Sequence, residues 1–98
     1  MLAAVKRKSD KHIVCSKQVI ASPGTEEEVE QLCKGILEFS RSRMSERDSG
    51  IISFDVSKDS YDANVFHFWE CYESNSQMGK HNTSEEMTDF LEAVSAPL

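Results

Sequence analysis

Eight residues, Val65 to Tyr72, constrain this chain more than any other stretch: Val-Phe-His-Phe-Trp-Glu-Cys-Tyr carries five aromatic or imidazole rings. Read at the strand period of two, Phe66, Phe68, Glu70 and Tyr72 share one face, while Val65, His67, Trp69 and Cys71 share the other. Bulky groups on both faces do not suit a half-wet antiparallel strand, so helices are expected over one face and a cavity or a second subunit over the other. Two readings follow: a strand packed on both sides, or one that faces a ligand.

The segments on either side supply the partners. Lys11 to Ser22 alternates loosely, with Ile13, Cys15, Val19 and Ala21 on one side and Val14 and Ile20 on the other. Ser22-Pro23-Gly24 ends it. Thr25 with Glu28 makes a capping-box pattern, and Glu26, Glu27 and Glu28 suit the positive end of a helix dipole. The stripe Val29, Leu32, Cys33, Ile36 and Leu37 predicts an amphipathic helix running to about Met44. A second strand is expected over Ile51 to Val56, with Ile52, Phe54 and Val56 facing one way. The polar turn Ser57 to Asn64 joins it to the aromatic strand as a hairpin. Ser74-Asn75-Ser76 opens a brief helical segment through Met78 and His81. Thr83 with Glu86 is a second capping box, launching a helix that buries Met87, Phe90, Leu91 and Val94 and ends at Pro97.

The order β-α-β-β-α is most of a ferredoxin-like split β-α-β domain of the α+β class. A last strand beside the first is missing, so the first strand is expected to be an open edge that a partner subunit or a further piece of chain covers. Residues 1–10 are expected to form a mobile tail, its Lys6-Arg7-Lys8 cluster solvated, and residues 11–98 a single domain.

With 17 acidic against 11 basic side chains, the net charge is -6. This argues against nucleic acid as a partner, since a phosphate backbone needs a basic groove. Cys15, Cys33 and Cys71 form no C-x-x-C pair and read as thiols of a reducing compartment. His67, Cys71 and His81 lack a zinc-ligand spacing, so no metal site is expected. Met1 to Val5 is too short for a secretory signal, and no run approaches a membrane span, so a soluble cytoplasmic protein is expected.

Ser22-Pro23-Gly24 with its acidic helix, the strand from Gly50 to Asp59, and above all Phe66 to Ser74 followed by His81, resemble the antibiotic biosynthesis monooxygenase domain over about residues 12 to 94. The resemblance implies a dimeric α+β barrel: a homodimer of ferredoxin-like protomers with facing sheets and a ligand cavity between each sheet and its helices. It also implies a choice among oxygenases of phenols, quinols and anthrone-like polyketides that use no metal or flavin, haem-degrading relatives, isomerases and proteins without turnover. Fold does not choose among these. The haem-degrading branch uses an Asn on the first strand and a Trp; here that strand offers Ser16, Lys17 and Gln18, and Tyr72 replaces the Trp, which disfavours haem.

Cofactor-free oxygenation requires a base, a group that holds the anion formed, and an apolar pocket. His81 is the expected catalytic base, its alternative role being an exposed or capping His. Tyr72, as a second catalytic residue, is expected to hydrogen-bond the substrate oxygen, or else to pack. Trp69, His67, Glu70 and Phe68 are the expected ligand-binding residues, with a salt bridge across the dimer interface as the alternative for Glu70. The expected function is a cofactor-independent monooxygenase of an aromatic quinol or polyketide-like phenol; the alternative is a non-catalytic dimeric ligand-binding or assembly module.

Overall fold

The structure, a computed structural model, describes residues 12–95. Its elements are β1 (Ile13–Ile20), α1 (Glu26–Met44), β2 (Ile51–Lys58), β3 (Val65–Tyr72), α2 (Asn75–Asn82) and α3 (Glu85–Ser95). The strands form an antiparallel sheet of order β1-β3-β2. This is the ferredoxin-like α+β arrangement, and among the described residues the outer edge of β1 has no strand beside it. The expected tail, residues 1–10, lies outside the described residues.

The aromatic strand is central, and its alternation decides the layering. Phe66, Phe68, Glu70 and Tyr72 are buried beneath the helices, whereas Trp69 on the opposite face is 52 % exposed. Val29, Cys33 and Ile36 of α1, Phe54 of β2, and Met87 and Phe90 of α3 complete the core. Phe68 meets Phe54 edge-on at 6.0 Å and Phe90 at 5.5 Å between ring centroids, the offset geometry that aromatic quadrupoles favour.

Four expectations need correction. Ile51, not Ile52, is buried, because a bulge between Ile51 and Ser53 shifts the register and turns Ile52 outward. The helix after Thr25 starts where expected but without a side-chain cap; the Thr25 hydroxyl donates to the Ser22 carbonyl at 2.7 Å instead. Ahead of α3 the amide of Met87 donates to Ser84 at 3.3 Å, while Thr83 donates to the Gly79 carbonyl at 2.8 Å and closes α2. Leu91 is exposed, since the stripe that α3 turns to the core runs through Met87 and Phe90. The turn into β2 needs Gly50, whose φ is +69° and where a Cβ would run into the Gln77 side chain of α2.

Candidate functional site

Between sheet and helices, polar side chains collect inside the apolar layer. β1 contributes Lys17 from its inward row of Ile13, Cys15, Lys17 and Val19, and the register places it opposite Phe68 and diagonal to Glu70. Lys17 Nζ lies 3.0 Å from Glu70 Oε2, an ion contact, and 3.4 Å from Oδ1 of Asn82 at the end of α2. The Tyr72 hydroxyl donates to Glu70 Oε1 at 2.7 Å. Glu70 therefore pairs within its own chain, which replaces the expected interface salt bridge. Burial, then the hydrogen bond to Glu70 and its charge, push the Tyr72 phenol well above its ordinary value, so it stays protonated with that proton committed to Glu70.

His81 is neither a cap nor exposed. It is 1 % exposed and the one buried residue of α2. Phe39 stacks on its ring at 5.8 Å, Phe54 meets it edge-on at 5.5 Å, and Tyr72 is tilted against it at 6.0 Å. Its Nε2 lies 2.8 Å from the Ser40 hydroxyl, and its buried Nδ1 has no hydrogen-bond partner among the described residues. Burial first, then the positive charges of Arg43 and Lys17, hold its pKa below 6.5 against the opposing pull of Glu70 and Glu86. The ring is a neutral imidazole at physiological pH.

A depressed folded-state pKa means that the unfolded chain binds this proton first as the solution is acidified. Stability carried by neutral His81 is complete above its unfolded value of about 6.5 and is lost as pH falls toward the folded value. Urea unfolding between pH 8 and 5 is expected to show this decline, and His81→Leu to flatten it; an unchanged slope in the variant would mean that His81 is not the group responsible.

The expected ligand residues divide between two faces. Glu70 and Phe68 share the helix-covered layer with His81 and Tyr72, whereas His67 and Trp69 lie on the open side of the sheet, stacked at 6.0 Å. There His67 Nε2 meets Asp59 Oδ1 at 2.8 Å and the Trp69 indole N–H donates to Ser57 at 3.0 Å. The three cavities reach the edge of the His81 layer at Phe39, Lys17 and Phe68 but none is lined by His81, Tyr72 or Glu70. One of about 430 Å³ runs between α1 and α3 past Leu32, Phe39 and Phe90, one of about 210 Å³ lies between α1 and β2, and one of about 410 Å³ opens on the sheet beside Gln18, His67 and Trp69. The layer holding His81 and Tyr72 is closed.

Sequence reasoning missed Ser40 and the pairing of Lys17. Ser40 extends the buried stripe Val29, Cys33, Ile36 by four more positions, which was the available signal. Lys17 falls in the inward row of β1, although its charge reads as solvent-facing. Among the described residues, no group of three or more His, Cys, Asp or Glu side chains could hold a metal ion, and no helix is long and apolar enough to cross a membrane.

The antibiotic biosynthesis monooxygenase family model matches residues 13–93. Solved structures share the fold. A Bacteroides thetaiotaomicron protein, provisionally named an antibiotic biosynthesis monooxygenase, superposes with a TM-score of 0.77 at 16% identity, covering 89% of this chain and 79% of its own. A Nitrosomonas europaea protein with the same provisional name gives 0.76 at 15% identity, covering 87% and 77%. A Pseudomonas aeruginosa protein gives 0.71 at 20% identity, covering 87% and 79%. No curated protein sequence matches the chain.

Proposed function

This chain belongs to the antibiotic biosynthesis monooxygenase family, and from that premise we propose that it is a cofactor-independent monooxygenase of an aromatic quinol or polyketide-like phenol, with His81 as the base. The observation that carries the reading is the unpartnered Nδ1 of a neutral, buried imidazole set in an apolar layer. In the tautomer that carries its proton on Nε2, such an atom is a proton acceptor without a protein partner. Tyr72 is the second catalytic residue; its oxygen can accept from a substrate hydroxyl while its own proton stays directed at Glu70. Phe68 supplies an aromatic wall.

The reaction balances without a further reductant. For an anthrone, His81 takes a proton from the activated methylene carbon, whose electron pair reduces dioxygen as a carbon–oxygen bond forms. The oxygen–oxygen bond then breaks; one oxygen stays as the new carbonyl, and the other leaves as water with the two hydrogens of the methylene. All four electrons that reduce dioxygen come from the substrate, whose methylene carbon becomes the carbonyl. The protein's task is to hold the substrate, keep the layer dry and move one proton. Access is through α2, an eight-residue helix whose single buried side chain is His81. An outward movement of α2 that parts His81 from the rings of Phe39 and Phe54 would open this layer to a substrate.

Turnover of anthrone or hydroquinone under ¹⁸O₂, in buffer stripped of metal and flavin, tests the reading. One labelled atom in the product supports it. The second reading, a binding module without turnover, is favoured by the closed layer around His81 and Tyr72. It predicts aromatic ligands that quench Trp69 fluorescence, at the open-face site with His67, while no oxygen is consumed.

The same reading makes the chain its own partner. The open sheet face exposes Val14 at 78 %, Ile20 at 66 % and Trp69 at 52 %. Apolar groups of that size on an unpaired face mark an interaction surface. A homodimer closed over this face should bury more than about 1,200 Å² in total. Light scattering at micromolar concentration is expected to give twice the chain mass, and Trp69→Glu to give the monomer; a wild-type monomer would remove the dimeric barrel.

A further inference from the structure

Proton transfer to His81 turns two neutral partners into an imidazolium and an anion, and a charge pair already stands beside that ring. Glu70 and Lys17 form it. The Glu70 side chain, 0% exposed, accepts from the Tyr72 hydroxyl at 2.7 Å, and Tyr72 lies against the His81 ring at 6.0 Å. Lys17 Nζ, 3.0 Å from Glu70 Oε2, also donates to Oδ1 of Asn82 at 3.4 Å, and Asn82 directly follows His81 in α2. Behind burial and Arg43, these two charges act on the imidazole in opposite senses, the carboxylate favouring its charged form and the ammonium opposing it. Both stand close enough to be felt there.

An anthrone that loses a methylene proton to the imidazole keeps the electron pair of the broken carbon–hydrogen bond, which spreads through the rings onto the carbonyl oxygen. That oxygen needs a donor. Tyr72 directs its proton at Glu70, while Arg43 lies over the Phe39 ring at 5.7 Å with its Nε 3.7 Å from Glu46. Lys17 remains. An ammonium carries three N–H donors, and the contacts to Glu70 and Asn82 use two of them. Its side chain is 31% exposed where Glu70, Tyr72 and His81 are buried, so it is the one of the four that solvent reaches.

We infer that Lys17 is a further catalytic residue, its third N–H holding the substrate oxygen that gains charge as His81 takes the proton, while Glu70 steadies the imidazolium. The inference rests on the oxygenase reading. Once the proton has moved, the site holds two cations and two anions, and a Lys17–Glu70 pair fixed in advance stabilises that state more than the neutral one before it.

Binding of para-nitrophenolate, compared with the uncharged para-nitroanisole, tests the role of Lys17 without turnover. At pH 8 the imidazole is neutral and the nitrophenol ionised, and a chain of net charge -6 offers an anion no general attraction. The wild type is expected to bind the phenolate about tenfold more tightly than the ether, the worth of one charge-assisted hydrogen bond. Lys17→Met/Glu70→Gln, which removes the cation together with the carboxylate it neutralises, should bind the two alike. Losing Glu70 can only favour an anion, so the lost preference belongs to Lys17. With anthrone the double variant should lose about a hundredfold in kcat, the low end for removing an oxyanion donor. A wild type that binds both compounds equally, or a preference that survives in the double variant, would overturn the inference. Should the double variant fail to fold, Lys17→Gln is read in its place. Oxygen uptake equal in wild type and variant would remove Lys17 and leave the oxygenase reading; a phenolate preference that depends on Lys17 in a protein that consumes no oxygen would keep the anion site and sink that reading.

Discussion

Lys17→Met is expected to cost about 3 kcal/mol of folding stability, the low end of what breaking a buried ion pair costs. The Glu70 side chain is 0% exposed, and its two oxygens are served by the Tyr72 hydroxyl at 2.7 Å and the Lys17 ammonium at 3.0 Å. Taking away the cation leaves a carboxylate in an apolar layer with a single hydrogen bond, and the penalty is that of an uncompensated buried charge. The low end applies because the Lys17 side chain keeps 31% exposure, so water already shares its charge. Pairing the change with Glu70→Gln should recover most of the loss, since an amide keeps an oxygen for Tyr72 and needs no counter-ion. Urea unfolding of the four proteins gives the coupling energy, expected at about 2 kcal/mol. A coupling below about 0.5 kcal/mol would place the pair among surface contacts.

This pair also marks where sequence reading stops. The aromatic strand could be placed because its period of two separates Phe66, Phe68, Glu70 and Tyr72 from His67 and Trp69 whatever surrounds it, and the structure covers the first set with helices. That Glu70 faces Lys17 depends on strand register, which alternation within either strand does not fix. The misplacement of Ile52 has the same origin. One extra residue at the bulge exchanges the two faces, and nothing in Ile-Ile-Ser announces it.

His81 shows a different limit. Lys80, Asn82 and Thr83 make its surroundings read as polar, yet the three-dimensional path of α2 brings this one position under α1, against Phe39 and Ser40. Nothing local to α2 encodes that contact. In Ser40 the signal was present, as the continuation of a helical stripe, but a serine at the end of an apolar row reads as its boundary. The helix starts at Glu26 and Glu85 were legible from their acidic first turns, while the identity of the capping groups was not, because Thr25 and Thr83 each have a nearby carbonyl to which their hydroxyls donate.

The central claim is that His81 removes the substrate proton. His81→Ala deletes the imidazole proposed as the base of the layer, and a lost general base costs about a hundredfold or more in rate. The variant also opens a space beneath α2, so binding should survive and the loss should fall on kcat rather than on KM. The most direct measurement is the rate of oxygen uptake with anthrone, corrected for its spontaneous oxidation, for wild type and folded His81→Ala side by side without added metal or flavin. The account predicts steady uptake by the wild type and a fall of about a hundredfold in the variant; equal uptake by the two proteins, or none by the wild type above the spontaneous rate, would contradict it.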